Sequence, residues 1–269
     1  MTSASLGTAL VTGASSGIGA VYADRLAKRG YDLILVARNA TRLNALAEKI
    51  TKETGQSVKT VPADLTKIAG MKVVEEIIKN DGSITMLVNN AGVGSVASIL
   101  QADVESMDDM IQLNITALTR LTYAAAPVFA GKGRGTIINI ASIVGIAVEA
   151  LNGVYSATKS YVLSFGHSLQ KDLADTGVRV QSVLPGATAT EFWDVAGYAP
   201  QKTDPGTMST ENLVDAALVG LDKGEIVTIP GLQNPADWEK WEADRKVLGA
   251  KFWNADPAPH YGIGRNSQY

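Results

Sequence analysis

Short apolar runs alternate with longer amphipathic segments along most of the chain. The runs are rich in β-branched residues, as expected for strands, and seven are found: Thr8–Thr12, Leu33–Ala37, Ser57–Pro62, Met86–Asn90, Thr136–Ala141, Val178–Leu184 and Ile226–Ile229. Most of them are continuously apolar instead of alternating with polar residues. This pattern is typical of strands buried on both faces of a sheet.

Between the predicted strands, apolar residues recur every three to four positions. Such spacing predicts helices with one buried face, at Ile18–Arg29, Arg42–Thr54, Lys67–Asn80, Val104–Phe129 and Val154–Asp175. Strands separated by helices predict a parallel sheet covered on both faces, because right-handed crossovers place helices on either side. The predicted fold class is therefore α/β: a doubly wound, Rossmann-type sheet of seven strands in a single domain spanning residues 1–269.

Two segments lack this regularity. Residues 187–210 are rich in Gly, Pro and Thr and are predicted to form a substrate lid, with an inert surface loop as the alternative. Aromatic residues in that lid are Phe192, Trp193 and Tyr198. Residues 234–269 are predicted to form a helix and a tail. One face of this helix is apolar and is expected to pack either on the domain or across a subunit interface. The residues close to that face are Trp238, Trp241, Leu248 and Phe252.

Composition narrows the classes of partner. A net charge of -3 gives no basic excess to attract nucleic acid, and no apolar run is long enough to cross a bilayer. The N-terminal residues lack the build of a secretory signal, so the expected location is the cytoplasm. The chain has no cysteine, which excludes disulfides and thiolate catalysis, and its histidines, His167 and His260, are too few to suggest a metal site.

A glycine-rich turn joins the first predicted strand to the first predicted helix. Its sequence is Thr12-Gly13-Ala14-Ser15-Ser16-Gly17-Ile18-Gly19. Gly13 and Gly17 can adopt backbone angles that other residues resist, and a missing Cβ lets a pyrophosphate approach the main chain. Gly19 allows close packing of helix and sheet. The helix N-terminus then faces the phosphates, so the turn predicts a dinucleotide site.

The end of the second predicted strand indicates which dinucleotide binds. Sites that prefer NAD usually place an acid there to bond the ribose 2′-hydroxyl, but this strand ends Val36-Ala37-Arg38. The guanidinium of Arg38 suits a 2′-phosphate, and the Ser15 hydroxyl could add a hydrogen bond. The predicted cofactor is therefore NADP(H), with a solvated surface cation as the alternative for Arg38.

Tyr155 and Lys159 are four residues apart on a predicted helix, so their side chains share a face. A free phenol has a pKa near ~10, and a nearby ammonium favours the phenolate. Tyr155 is therefore a candidate general acid or base for a hydride transfer. Ser142, at the end of the fifth strand, can hold a substrate oxygen. Taken one at a time, a Tyr and a Lys at this spacing are usually just neighbours on a helix, and a Ser at a strand end is ordinarily a turn residue.

Together these features resemble the short-chain dehydrogenase/reductase family, in the subgroup with subunits of roughly this length. The likeness runs from about Leu6 to Ile229. It is carried by Thr12-Gly13 to Gly19, Asp64-Leu65, Asn89-Asn90-Ala91-Gly92, Asn114, Ser142, Tyr155-Ser156-Ala157-Thr158-Lys159 and Pro185-Gly186.

The resemblance implies roles for residues that the pattern alone does not assign. Asp64 and Leu65 would touch the adenine, Asn90 and Ala91 would line the ribose side, and Thr188 and Thr190 would meet the nicotinamide carboxamide. Lys159 would also bond the nicotinamide ribose, and Asn114 would position a water in a proton relay. A helix cap is the alternative role for Asp64, and a surface polar group is the alternative for Asn114.

The resemblance also implies a homotetramer or homodimer, with the long helices Val104–Phe129 and Val154–Asp175 at the interface. The predicted function is hydride transfer between NADP(H) and a small-molecule ketone, aldehyde or secondary alcohol, in a mostly apolar pocket. The residues expected in that pocket are Val93, Val96, Ile143, Val144, Ile146, Leu151, Phe192 and Trp193. The alternatives are a non-catalytic NADP(H)-binding protein and, less favoured because only a short segment follows Pro185, a sugar-nucleotide epimerase or dehydratase.

Overall fold

The computed structural model describes residues 6–191, 196 and 206–263. A seven-stranded sheet in the order β3-β2-β1-β4-β5-β6-β7 lies at its centre, and every paired strand is parallel to its neighbour. The strands are β1 Thr8–Thr12, β2 Asp32–Ala37, β3 Val58–Pro62, β4 Ile84–Asn89, β5 Gly135–Ile140, β6 Val178–Val183 and β7 Val227–Thr228. The predicted doubly wound parallel sheet is therefore confirmed.

The helices of the described residues are α1 Gly17–Lys28, α2 Ala40–Thr54, α3 Ile68–Asn80, α4 Val104–Ile111, α5 Leu118–Gly131, α6 Gly153–Asp172, α7 Thr210–Asp222 and α8 Pro235–Gly249. The long helix predicted over Val104–Phe129 is interrupted by a π-helical turn at Gln112–Ala117, which divides it into α4 and α5. The sequence analysis did not predict α7. Its apolar spacing is helical, but its first residue falls at the end of the predicted lid.

Both faces of the sheet are covered, which explains the continuously apolar strands. Ala9 and Val11 of β1 point into a core shared with α1, α2 and α7, whereas Leu10 between them joins a second core with α3, α5 and α6. Full burial of a side chain as large as Val11 or Leu10 contributes about 1.5–3 kcal/mol. Strand order reverses at β1, between β2 and β4, so the crevice at the carboxyl ends of β1 and β4 is the expected ligand site.

The chain divides into two compact units, residues 1–231 and 232–269. The sheet and α1 to α7 lie in the first unit, and the assignment of residues 1–269 to a single domain stays a prediction. In the second unit, α8 buries none of its residues, and the rings of Trp238 and Trp241 stack with centroids 4.9 Å apart. Phe252 lies beyond the end of α8, contrary to its predicted place on that helix.

Parts of the sequence analysis concern residues outside the described ranges. Phe192, Trp193 and Tyr198, the aromatic residues of the predicted lid, are among them. The lid over residues 187–210 therefore stays a prediction. None of the helices in the described ranges is long and apolar enough to span a bilayer.

Candidate active site

A cavity of about 590 Å³ opens at the carboxyl ends of the strands. It brings together residues that the sequence analysis took from distant segments. Its lining includes Gly13, Ser15, Ser16, Gly17, Ile18, Arg38, Asp64, Leu65, Asn90, Ala91, Gly92, Ser142, Tyr155, Lys159, Pro185, Gly186, Thr188 and Thr190. Of the predicted site residues, Gly19 and Asn114 are absent from this described lining, and both lie directly behind it.

The glycine turn has the backbone that its sequence predicts. Gly13 and Gly17 have φ of +64° and +55°, in the left-handed region that side chains disfavour. A Cβ at Gly13 would lie 2.8 Å from Cα of Ala91, and a Cβ at Gly19 would overlap the Gly13 carbonyl oxygen. Gly19 therefore lets α1 start tightly against the turn. The N-terminus of α1 is left facing the cavity, where backbone N–H groups can bind phosphate.

Asn90 and Thr12 hold the turn against the loop that follows β4. The Asn90 side chain amide donates hydrogen bonds to the carbonyl oxygens of Thr12 (2.9 Å) and Gly13 (3.1 Å). The Thr12 hydroxyl accepts from the backbone N–H groups of Asn90 and Ala91, both at 3.0 Å, and donates to the Val88 carbonyl. Asn90 therefore shapes the cofactor turn through its side chain as well as lining the cavity.

Arg38 and Asp64 stand at the far end of the cavity, after β2 and β3. Partial burial raises the pKa of the Asp64 carboxyl, but hydrogen bonds from Thr66 and the charge of Arg38 together bring it below its ordinary value. The Asp64 carboxylate accepts from both the N–H and the hydroxyl of Thr66, whereas the N-cap of α3 is Lys67. Asp64 thus closes a turn before α3 and is not the cap of that helix.

The sequence analysis missed a second cation at this end. Arg42, in the first turn of α2, lines the cavity and forms an ion pair with Glu191, with Nη1 and Oε2 2.6 Å apart. Arg42 stands four residues after Arg38, and this spacing could have indicated a second arginine for a phosphate. The sequence gives no sign of Glu191 at this end, because Glu191 is 149 positions from Arg42 along the chain.

Tyr155 lies in α6 and its ring is buried beside Val144 and Met110, with its residue only 6% exposed. This burial raises the pKa of the Tyr155 phenol to about 12, and a hydrogen bond with Ser142 lowers it only in part. In the protein alone, the phenol is therefore held in its protonated form. Ser142 follows β5, and its hydroxyl also lies 3.3 Å from the Pro185 carbonyl oxygen.

Lys159 is buried one turn further along α6, with its Nζ 5.8 Å from the centre of the Tyr155 ring. Its ammonium donates a hydrogen bond to the carbonyl oxygen of Ile140 at 2.9 Å. Burial lowers the pKa of Lys159 to about 8, because a charge is disfavoured away from water. The structure therefore brings the predicted Tyr–Lys pair to one end of the cavity, with the lysine still mainly charged at neutral pH.

Asn114 lies in the π-helical turn between α4 and α5 and is 2% exposed. Its side chain accepts from the Val93 N–H (3.0 Å) and donates to the Val93 carbonyl (2.9 Å) and the Thr158 hydroxyl (3.1 Å). These bonds exclude the alternative of a surface polar group. An inserted π turn redirects side chains and often marks a functional site. Here it joins the loop after β4 to α6.

The segment after β6 crosses the cavity. The Thr188 hydroxyl donates to the Gly186 carbonyl at 3.0 Å, and Thr188 pairs with Met208 in an isolated parallel bridge. A Cβ at Gly17 would lie 3.3 Å from the Thr190 methyl group. Residues 188–190 therefore reach from the end of β6 to the glycine turn, on the side where the resemblance places the nicotinamide.

The wall near Tyr155 is mainly apolar. Of the predicted pocket residues, Val93, Ile143, Val144 and Leu151 line the cavity, whereas Val96 and Ile146 are not part of its described lining. Phe192 and Trp193 lie outside the described residues. No group of three or more acidic or histidine side chains within the described ranges could hold a metal ion.

Comparison with known proteins assigns the chain to a family. The profile of the short chain dehydrogenase family matches residues 7–198, which is most of the first unit. The chain belongs to the short-chain dehydrogenase family. An uncharacterized oxidoreductase from Staphylococcus haemolyticus is 35% identical over 222 residues, covering 82% of this chain and 93% of that protein.

Solved structures of family members resemble the chain over more of its length. A short-chain dehydrogenase from Sphingobium yanoikuyae in complex with NADPH is 46% identical, with a TM-score of 0.92, and the match covers 95% of this chain and 100% of that one. A bulky-bulky ketone specific alcohol dehydrogenase from Comamonas testosteroni is 41% identical, with a TM-score of 0.88 and coverage of 95% and 98%. The chain is thus an oxidoreductase of this family in sequence and in fold.

Proposed function

We propose that this oxidoreductase uses NADP(H) to interconvert a ketone or aldehyde and its alcohol, with Tyr155 as general acid and base. One observation carries the proposal. A single cavity has the glycine turn and two arginines at one end, and Tyr155, Ser142 and Lys159 at the other. A dinucleotide laid along it would have its phosphates at the α1 N-terminus and its nicotinamide at the tyrosine.

The described residues fit NADP(H) on structural grounds. Gly13 and Gly17 give the turn its left-handed backbone and line the cavity at the α1 N-terminus, where N–H groups can bind a pyrophosphate, and the Arg38 guanidinium in the same lining can bind a 2′-phosphate. The Ser15 hydroxyl lines the same end. The NADPH complex of the Sphingobium relative supports this assignment.

The nicotinamide, when bound, supplies or accepts the hydride. In reduction, Tyr155 gives its proton to the substrate oxygen as the carbonyl carbon accepts the hydride, and Ser142 holds that oxygen with a hydrogen bond. The phenolate that remains is stabilised by the Lys159 ammonium, because an opposite charge nearby lowers the pKa that burial has raised. Oxidation reverses these steps. The buried phenol therefore needs Lys159 more than an exposed one would.

Gly92 supports a proton relay between Asn114 and Lys159. A Cβ at Gly92 would lie 3.1 Å from Oδ1 of Asn114 and 3.6 Å from Nζ of Lys159, so both groups border the space in front of this glycine. A water in that space, at contact distance from the Gly92 Cα, would have both groups as hydrogen-bond partners. We propose that Asn114 positions such a water, through which Tyr155 regains its proton.

We propose ketones with apolar groups on both sides of the carbonyl as the substrate class. The apolar wall near Tyr155 and the specificity of the Comamonas relative support this choice.

We also propose a homotetramer or homodimer formed through α4–α5 and α6. Tyr123, 69% exposed on α5, stacks on Phe165 of α6, which in turn stacks on Tyr161. Such an aromatic surface is typical of a subunit interface.

The test is a series of ketones, from small aliphatic to doubly aryl-substituted, assayed with NADPH and NADH by cofactor absorbance. We expect consumption of NADPH, fastest with the larger ketones. A non-catalytic binding protein would bind NADPH and consume none with any substrate.

A second test concerns the cofactor. Arg38→Asp should reduce kcat/KM for NADPH far more than kcat/KM for NADH, whereas Lys49→Asp, at an exposed position of α2, should change neither value. Equal losses with both cofactors would remove Arg38 from the phosphate site.

A further inference from the structure

An ion pair bridges the phosphate end of the cavity. Arg42, from the first turn of α2, meets Glu191, which follows the segment that lies over Gly17. Both side chains line the cavity, and they are 52% and 58% exposed. The contact therefore joins α2 to the segment after β6 at the predicted cofactor cleft, and the ion pair is exposed to solvent.

Glu191 and a phosphate differ in how strongly they bind Arg42. The ion pair is exposed on both sides, so breaking it costs little, whereas a phosphate offers Arg42 more negative charge and more acceptor oxygens than a carboxylate does. A phosphate that reaches Arg42 would therefore displace Glu191. A ribose hydroxyl, which carries no charge, would leave the ion pair in place.

We infer that Glu191 competes with the cofactor 2′-phosphate for Arg42 and so reduces the preference for NADP(H) over NAD(H). The inference rests on the proposed NADP(H) function and adds to it a residue that opposes cofactor binding. Arg38, whose charge acts on Asp64, is the cation that remains available. Arg42 is the exchangeable one, since the Nη1 donor that it gives to Glu191 must be released before that donor can bind a phosphate.

Glu191 acts in two ways on the same step. It neutralises Arg42 before binding, and after exchange its carboxylate stays near the cleft and repels the phosphate. The competition is for a 2′-phosphate, so we expect the effect in ligands that carry this group. A ligand without the 2′-phosphate is therefore the internal control.

The experiment measures binding of 2′-phospho-ADP-ribose and ADP-ribose by calorimetry at low ionic strength. These probes differ only in the phosphate and carry no nicotinamide, so turnover does not enter the measurement. Glu191→Gln should lower the Kd of the phosphorylated probe about two- to fivefold, the range that one exposed ion pair supports, and leave ADP-ribose unchanged. Glu48→Gln removes the same charge from an exposed position on α2 and should change neither Kd.

A double-mutant cycle then tests whether the effect passes through Arg42. Arg42→Gln should weaken the phosphorylated probe selectively, and in that background Glu191→Gln should have a much smaller effect. The competition would be overturned if Glu191→Gln left the Kd of the phosphorylated probe unchanged or raised it. Equal tightening of both probes would overturn it as well. If the wild-type protein does not prefer the phosphorylated probe at all, the proposed NADP(H) assignment fails first, and the competition fails with it.

Discussion

The Lys159 ammonium donates a hydrogen bond to the carbonyl oxygen of Ile140, the last residue of β5, at 2.9 Å. This bond fixes the charge of the predicted Tyr–Lys pair to the sheet, two positions before Ser142. An i,i+4 spacing places two side chains on one face of a helix, but only this contact shows where the ammonium lies. The position of the charge that we propose to tune Tyr155 therefore depends on β5 as well as on α6.

Lys159 should make stability depend on pH in a defined window. Burial lowers its pKa from 10.5 to about 8 in the folded protein, so between these values the unfolded chain binds more protons than the folded one. The free energy of unfolding then rises with pH in that window, because the buried charge disappears. We expect the wild type to gain about 1–2 kcal/mol relative to Lys159→Met between pH 8 and pH 10.

Urea unfolding of both proteins at several pH values measures this difference. Comparing the two cancels the titration of shared groups that do not interact with Lys159, including Tyr22, whose burial raises its pKa well above the ordinary value. A wild-type stability that stays parallel to that of Lys159→Met would show that Lys159 is solvated in the folded state.

Tyr155→Phe should remove the proton donor while leaving the cavity intact. We expect kcat to fall about 10²-fold or more, the scale of a positioned general acid, with the Kd for NADPH nearly unchanged. Tyr31→Phe removes a hydroxyl from a half-buried tyrosine just before β2 and serves as the matched control. Substantial activity in Tyr155→Phe would defeat the assignment.

Asn114 should contribute more to stability than the threonine it contacts. Asn114→Ala leaves both backbone groups of Val93 without their side-chain partner, and each buried unpaired group costs about 1–3 kcal/mol. Thr158→Val removes the hydroxyl that accepts from Asn114 and donates to the Tyr155 carbonyl oxygen, and each of these hydrogen bonds contributes about 0.5–1.5 kcal/mol. We expect the larger fall in unfolding free energy for Asn114→Ala by chemical denaturation, and equal losses would argue against the Val93 contacts.

Asn114 should also affect the pH profile if it serves the proton relay. Both variants would loosen the loop after β4, but only Asn114→Ala removes the oxygen that faces the Gly92 space. We therefore expect a lower kcat and a shifted kcat–pH profile in Asn114→Ala, and an unshifted profile in Thr158→Val. A shared profile would leave Asn114 with a structural role alone.

Gly19 and Gly153 allow a paired test of the glycine turn. A Cβ at Gly19 would overlap the backbone carbonyl of Gly13, so Gly19→Ala should distort the turn, destabilise the protein by about 1–3 kcal/mol and abolish NADPH binding. Gly153, the first residue of α6, has nothing within 4 Å of the added carbon. Gly153→Ala should be neutral or slightly stabilising. Thermal unfolding and NADPH titration of both variants check the contrast.

Much of the fold could be predicted because it follows from local periodicity. Burial on both faces requires continuously apolar strands, and helices between them require parallel pairing, so all seven strands were predicted close to their observed bounds. The interruption of the long helix at Gln112–Ala117 was not predictable in this way, since a π turn leaves little trace in apolar spacing. It places Asn114 inward, where its side chain holds Val93.

The sequence alone determined the parts of the site that depend on neighbours in the chain: a glycine turn between strand and helix, and a tyrosine and lysine one turn apart. Only the tertiary structure decided which distant groups meet them. The order of the strands brings the ends of β1, β4, β5 and β6 to one cavity, pairs Arg42 with Glu191 across it, and buries Tyr155 and Lys159 enough to shift their pKa values. Desolvation and long-range contact depend on packing in three dimensions, which residue spacing along the chain does not specify.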